Sequence, residues 1–131
     1  MNNTLLKVLA CSCVFLSGCN FKTTSDGKVV ACSGSVEPAI KVEVIDKETG
    51  YRISCGASIV IRDGEFSEER SNLHGTGCDN SKALLGAYER EGTYKVSVFK
   101  DGYLDWSTEG IEVSSNVCHV NTITIQAYLE K

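Results

Sequence analysis

The sequence predicts a single all-β domain of the β-sandwich class behind an N-terminal export signal. Three observations carry this reading. Apolar and polar residues alternate at Ile40-Lys41-Val42-Glu43-Val44 and again at Tyr94-Lys95-Val96-Ser97-Val98, the period of a strand with one buried face. Turn signals such as Asp63-Gly64 and Asp101-Gly102 break the chain at short intervals, as in sandwich domains with turns about every eight to twelve residues. No stretch of useful length repeats apolar residues at helical spacing.

Met1 to Lys7 leads into an apolar run from Val8 to Leu16, closed by Leu16-Ser17-Gly18-Cys19. The run is about ten residues, whereas a membrane span needs about twenty, so it reads as a cleavable signal. The Leu-Ser-Gly-Cys order resembles a bacterial lipoprotein signal, in which small residues before the cysteine admit a signal peptidase. The resemblance implies that residues 1–18 are removed and that Cys19 is lipidated. It further implies, with Asn20 rather than Asp following the cysteine, that the protein resides at the outer membrane. Each buried CH₂ of an acyl chain contributes about 0.8 kcal/mol, so a cysteine bearing two or three chains holds a protein on a bilayer durably.

Loss of residues 1–18 would leave 113 residues with 12 basic and 17 acidic side chains, a balance of −5. That length suffices for one core. The mild acidity argues against nucleic acid as a partner and against an electrostatic hold on anionic lipid, which leaves the anchoring to the acyl chains. Cys11 and Cys13 would leave with the signal, and Cys32, Cys55, Cys78 and Cys118 would remain beside Cys19. An even number in an exported chain predicts two disulfides, with three pairings open. The rival is a metal site, since His74 precedes Cys78 by four residues and His119 follows Cys118. The absence of any Cys-x-x-Cys pair and the oxidising destination favour disulfides.

Residues 19–37 read as the lipidated cysteine and a polar, flexible tether, whose dozen residues before Cys32 would reach roughly 20 Å. Residues 38–131 read as the sandwich. Its first strand holds Ile40, Val42 and Val44, and Asp46 to Gly50 turns the chain. Ala57 to Arg62 is a second strand, and Asp63-Gly64 opens a hairpin into a third. Residues 71–81 are loop by composition, and Leu84 to Glu89 resumes strand character. Tyr94, Val96 and Val98 mark another strand. A last one runs from about Val117 to Leu129, with Val120, Ile123, Ile125 and Tyr128 as candidate apolar contacts.

The runs Ile40 to Gly50, Gly56-Ala-Ser-Ile-Val60, Glu91-Gly-Thr-Tyr-Lys-Val-Ser-Val98 and Lys100-Asp-Gly-Tyr103 resemble the carboxypeptidase regulatory-like domain. The resemblance covers nearly all of the chain from Ala39 onward and implies a seven-stranded, transthyretin-like (Ig-like) sandwich. It also implies bridges Cys32 to Cys118 and Cys55 to Cys78. This architecture serves as an accessory and binding module in many proteins, so it speaks to fold more than to activity. Gly92-Thr93-Tyr94 has its own physical reading: a tight entry lets the Tyr94 hydroxyl reach upstream backbone, as in a tyrosine corner.

Catalytic patterns are thin. The chain has no phosphate-binding glycine loop, nucleophile elbow or His-x-x-x-His pair. Transthyretin-like hydrolases of purine catabolism use several histidines and end in Tyr-Arg-Gly-Ser, whereas this chain has two histidines and ends Tyr128-Leu-Glu-Lys131. The metallocarboxypeptidase catalytic domain often joined to this fold is absent. His119 reads as a strand residue with a satisfied hydrogen bond. Tyr103 and Trp106, with Tyr51 and Tyr88 behind them, are the candidate binding aromatics, against a plainer reading in which Tyr103 covers the end of the core and Trp106 packs along an edge strand. The acidic run Glu65 to Glu69 reads as a solvated hairpin face with a weak capacity for Ca²⁺.

The expectation is a non-catalytic, membrane-anchored envelope protein with no cofactor, which binds or supports another envelope protein or a glycan. A carbohydrate-binding module is the competing class, followed by an unrecognised enzyme or metal protein.

Overall fold

The computed structural model describes residues 20–73 and 75–131; residues 1–18, read above as a signal, Cys19 and His74 lie outside them. Among the described residues the structure is all-β, with nine strands in three sheets and no helix. In chain order these are β1 (Asn20–Thr23), β2 (Val29–Cys32), β3 (Pro38–Asp46), β4 (Ala57–Asp63), β5 (Phe66–Ser71), β6 (Leu84–Tyr88), β7 (Gly92–Lys100), β8 (Trp106–Val113) and β9 (Ile123–Leu129). A three-stranded sheet has the order β6-β3-β9, and a four-stranded sheet has the order β5-β4-β7-β8. Within the first, β3 pairs antiparallel with β6 and parallel with β9. All pairs of the second are antiparallel.

One hydrophobic core joins these two sheets. Successive strand side chains point to opposite faces, so the alternating sequence sends Ile40, Val42 and Val44 of β3 inward and leaves Lys41 and Glu43 half-exposed. Tyr94, Val96 and Val98 of β7 and Ile59 and Ile61 of β4 are completely buried on the other side. Pro38 opens β3, a position where its missing N–H does least harm to a ladder. Gly64 turns β4 into β5 with φ +55°, a backbone state that glycine enters without steric cost. Gly86 in β6 is closely approached: a Cβ there would meet Ile61 Cδ1 at 2.5 Å, and the buried Ile61 side chain would have to shift.

Tyr94 makes the corner expected of it. Its ring is fully buried and its hydroxyl donates to the Arg90 carbonyl at 2.7 Å. The Arg90 guanidinium lies over the Phe66 ring at 4.3 Å and donates to Asp63 at 2.7 Å, so one cation ties the β6–β7 connection to the β4–β5 hairpin. A Cβ on Gly92 would collide with the Asp63 carboxylate.

Two local expectations change. In the last strand, β9 starts at Ile123, and its inward residues are Ile125, Ala127 and Leu129, with Ile123 half-buried. Tyr128 is therefore on the outer face and 46% exposed. Period two settles this: Ile125 and Tyr128 are an odd number of residues apart and cannot share a face. The stretch read as a flexible tether contains a hairpin, β1 paired with β2 from Asn20↔Cys32 to Thr23↔Val29. Gly27, with φ +79°, and the Thr24–Lys28 backbone bond at 2.9 Å close its turn. These two strands raise the count to nine, against seven expected. They form a sheet of their own.

Cys32 is bridged to Cys118 and Cys55 to Cys78, closing sequence separations of 86 and 23. This is the pairing that the resemblance implied. The first bridge fastens the hairpin to the segment before β9, and the second fastens the start of β4 to the long loop before β6.

Candidate functional site

Tyr103 and Trp106 do not stand on an open face. Both are half-buried and pack against the core, with Trp106 opening the edge strand β8. The Tyr103 hydroxyl donates to Asp46 Oδ2 at 2.7 Å, and Lys131 Nζ lies 3.2 Å from the same oxygen and 5.5 Å from the centre of the Tyr103 ring. Asp46 Oδ1 accepts the backbone N–H groups of Glu48 and Thr49, both at 2.9 Å. With the Tyr103 hydroxyl as the largest cause, then the Thr49 N–H, and Lys131 beyond it, the Asp46 carboxyl is held well below the usual carboxylate range. Asp46 in turn raises the Tyr103 phenol and the Lys131 ammonium above their ordinary values. This cluster closes one end of the core. Tyr51 is 74% exposed and Tyr88 41%.

A second polar cluster lines a groove of about 810 Å³ between the hairpin and the connection leaving β6. Glu89 adopts φ +50° just after β6 and sends its carboxylate across to the chain before β9. Its Oε1 lies 2.7 Å from His119 Nδ1 and accepts the Glu37 N–H at 2.8 Å, while Oε2 accepts the Val120 N–H at 3.3 Å. The Glu37 N–H first, and His119 next, hold the Glu89 carboxyl below its ordinary range. On the other side of the ring, His119 Nε2 is 3.1 Å from Ser33 Oγ, which is itself 2.7 Å from Ser35 Oγ.

His119 is thus satisfied, as expected, but it sits in a bend rather than a strand. Asn116 makes that bend by accepting the Cys118 and His119 N–H groups on Oδ1 at 2.8 and 3.0 Å. The order serine, imidazole, carboxylate is the connectivity of a nucleophile relay. Ser33 is nevertheless exposed. Such a relay gains its catalytic value where water is excluded and charge is stabilised by fixed donors. Here it joins three segments: the chain entering β3, the chain leaving β6 and the chain entering β9.

The four cysteines of the described residues are all in disulfides, which removes the thiol ligands of the metal reading. Glu68 and Glu69 point to opposite faces of β5, and Glu68 bonds to Arg70 and to the Ala87 N–H. Among the described residues no three His, Cys, Asp or Glu side chains come together as a metal site, and no helix is long and apolar enough to cross a membrane. Neither a scan against protein-family models nor a search of curated proteins returned a match.

Proposed function

We propose that the chain is a lipoprotein of the outer membrane, held there by acylated Cys19, whose domain is a non-catalytic module that binds or supports another envelope component. The observation that carries the reading is the Leu16-Ser17-Gly18-Cys19 run behind a short apolar stretch. Two disulfides suit an exported chain. Strands β3 to β9, in sheets of three and four around one core, suit the transthyretin-like sandwich of the regulatory-like domain.

Metabolic acyl labelling tests the anchor. The unaltered protein should take up label and partition into detergent, and Cys19→Ala should do neither; equal labelling of the two would remove the proposal. Capture of an envelope protein or glycan by the soluble domain tests the binding role. The relay at Ser33 gives the opposing arm. Labelling of Ser33 by a fluorophosphonate, lost in His119→Ala with folding intact, would replace the binding reading with a hydrolytic one.

A further inference from the structure

The β1–β2 hairpin has two unlike faces. Residues opposite one another in an antiparallel ladder share a face, and neighbours along a strand do not. The register places Phe21, Ala31, Thr23 and Val29 on one face and Lys22, Val30 and Cys32 on the other. The second face turns toward the body at its Cys32 end: Cys32 is buried and bridged to Cys118 and Val30 is half-buried, while Lys22 on the same face is exposed. The first face is exposed throughout, with Phe21 at 68% and Val29 at 62%. An apolar strand face is thus left uncovered on a sheet that pairs with neither of the others.

We propose that the bilayer itself covers this face, with Phe21 and Val29 set into the boundary between lipid headgroups and acyl chains. The proposal rests on the lipid anchor at Cys19. Phe21 comes two positions after that cysteine, and an extended chain advances at most about 3.6 Å per residue, so Phe21 lies within about 7 Å of the acylated position. The headgroup layer on each side of the hydrocarbon is of similar depth, about 5–8 Å. A hairpin that begins one residue after the anchor cannot stand clear of that layer. Its charge also fits. Lys22 and Lys28 against Asp26 give residues 20–32 a balance of +1, although the mature chain as a whole is acidic. Because Cys32 fixes the hairpin to the body, contact along this face would set the orientation of the whole domain at the membrane.

The test places single indoles on the full-length, lipidated protein, reconstituted in phosphatidylethanolamine and phosphatidylglycerol vesicles that carry brominated acyl chains. Phe21→Trp, Val29→Trp and Lys22→Trp are compared, each read as a difference from the unaltered protein, whose only tryptophan is Trp106. The expected result is loss of most of the added emission, with a blue shift, at positions 21 and 29 but not at 22. Equal quenching at 21 and 22 would overturn the proposal, since the segment would then behave as an unoriented leash. Emission at 21 and 29 like that in water, with acyl label present on Cys19, would overturn it while leaving the anchor standing. Absence of acyl label together with absence of vesicle binding would overturn both.

Discussion

The Asp46 side chain is only 5% exposed and yet stays charged, because a phenol, an ammonium and two backbone N–H groups surround it. A carboxyl whose folded-state value is depressed contributes stability that is present above its unfolded value, about pH 4, and is lost as pH falls further. Lys131, raised by the same contact, contributes below about pH 10 and loses that contribution above it. Asp46→Asn should therefore be less stable than the unaltered domain at neutral pH, and the gap should narrow as pH drops below about 4. Urea midpoints across that range check this, and a constant gap would show that the charge plays no part. Tyr94 is the other residue with a definite cost. Tyr94→Phe leaves the Arg90 carbonyl without its donor, which should cost about 1–2 kcal/mol and lower the thermal midpoint by several degrees, read by calorimetry on the oxidised domain.

Strands were legible where sequence alone decides which face is inward. Ile40 to Val44 and Tyr94 to Val98 alternate cleanly, and both became central strands whose inward residues are buried. The final strand was harder because Ile123, Ile125 and Tyr128 are all apolar and do not share a parity; the parallel pairing with β3 fixes which of them turn inward, and that pairing is a long-range fact. The β1–β2 hairpin was missed for a different reason. Its strands are only four residues each, and β1 with the turn after it is mostly polar, so composition resembles a linker, although Asp26-Gly27 was a usable turn signal. Site geometry was the least legible. Asn116 could have flagged the bend that carries His119, but nothing local joins His119 to Glu89 or to Ser33, which lie 30 and 86 residues away. The partnership of Tyr103 with Asp46, 57 residues apart, was equally hidden.

At the scale of the molecule, the Cys32–Cys118 bridge has a mechanical meaning. Tension applied at residue 20 passes along β1 and β2 to Cys32, crosses the sulfur bond and leaves through Cys118 toward β9. Every strand from β3 to β8 lies inside the covalent loop and off that route. Pulled between its ends in an optical trap, the oxidised protein should lengthen only through the segments outside the loop. Reduction should add about 300 Å of contour, the 86 bypassed residues at about 3.5 Å each, and an unchanged full extension would refute this load path. Stretched between its ends, the oxidised chain can give up β1, β2 and β9 while the six strands β3 to β8 stay held within one closed ring.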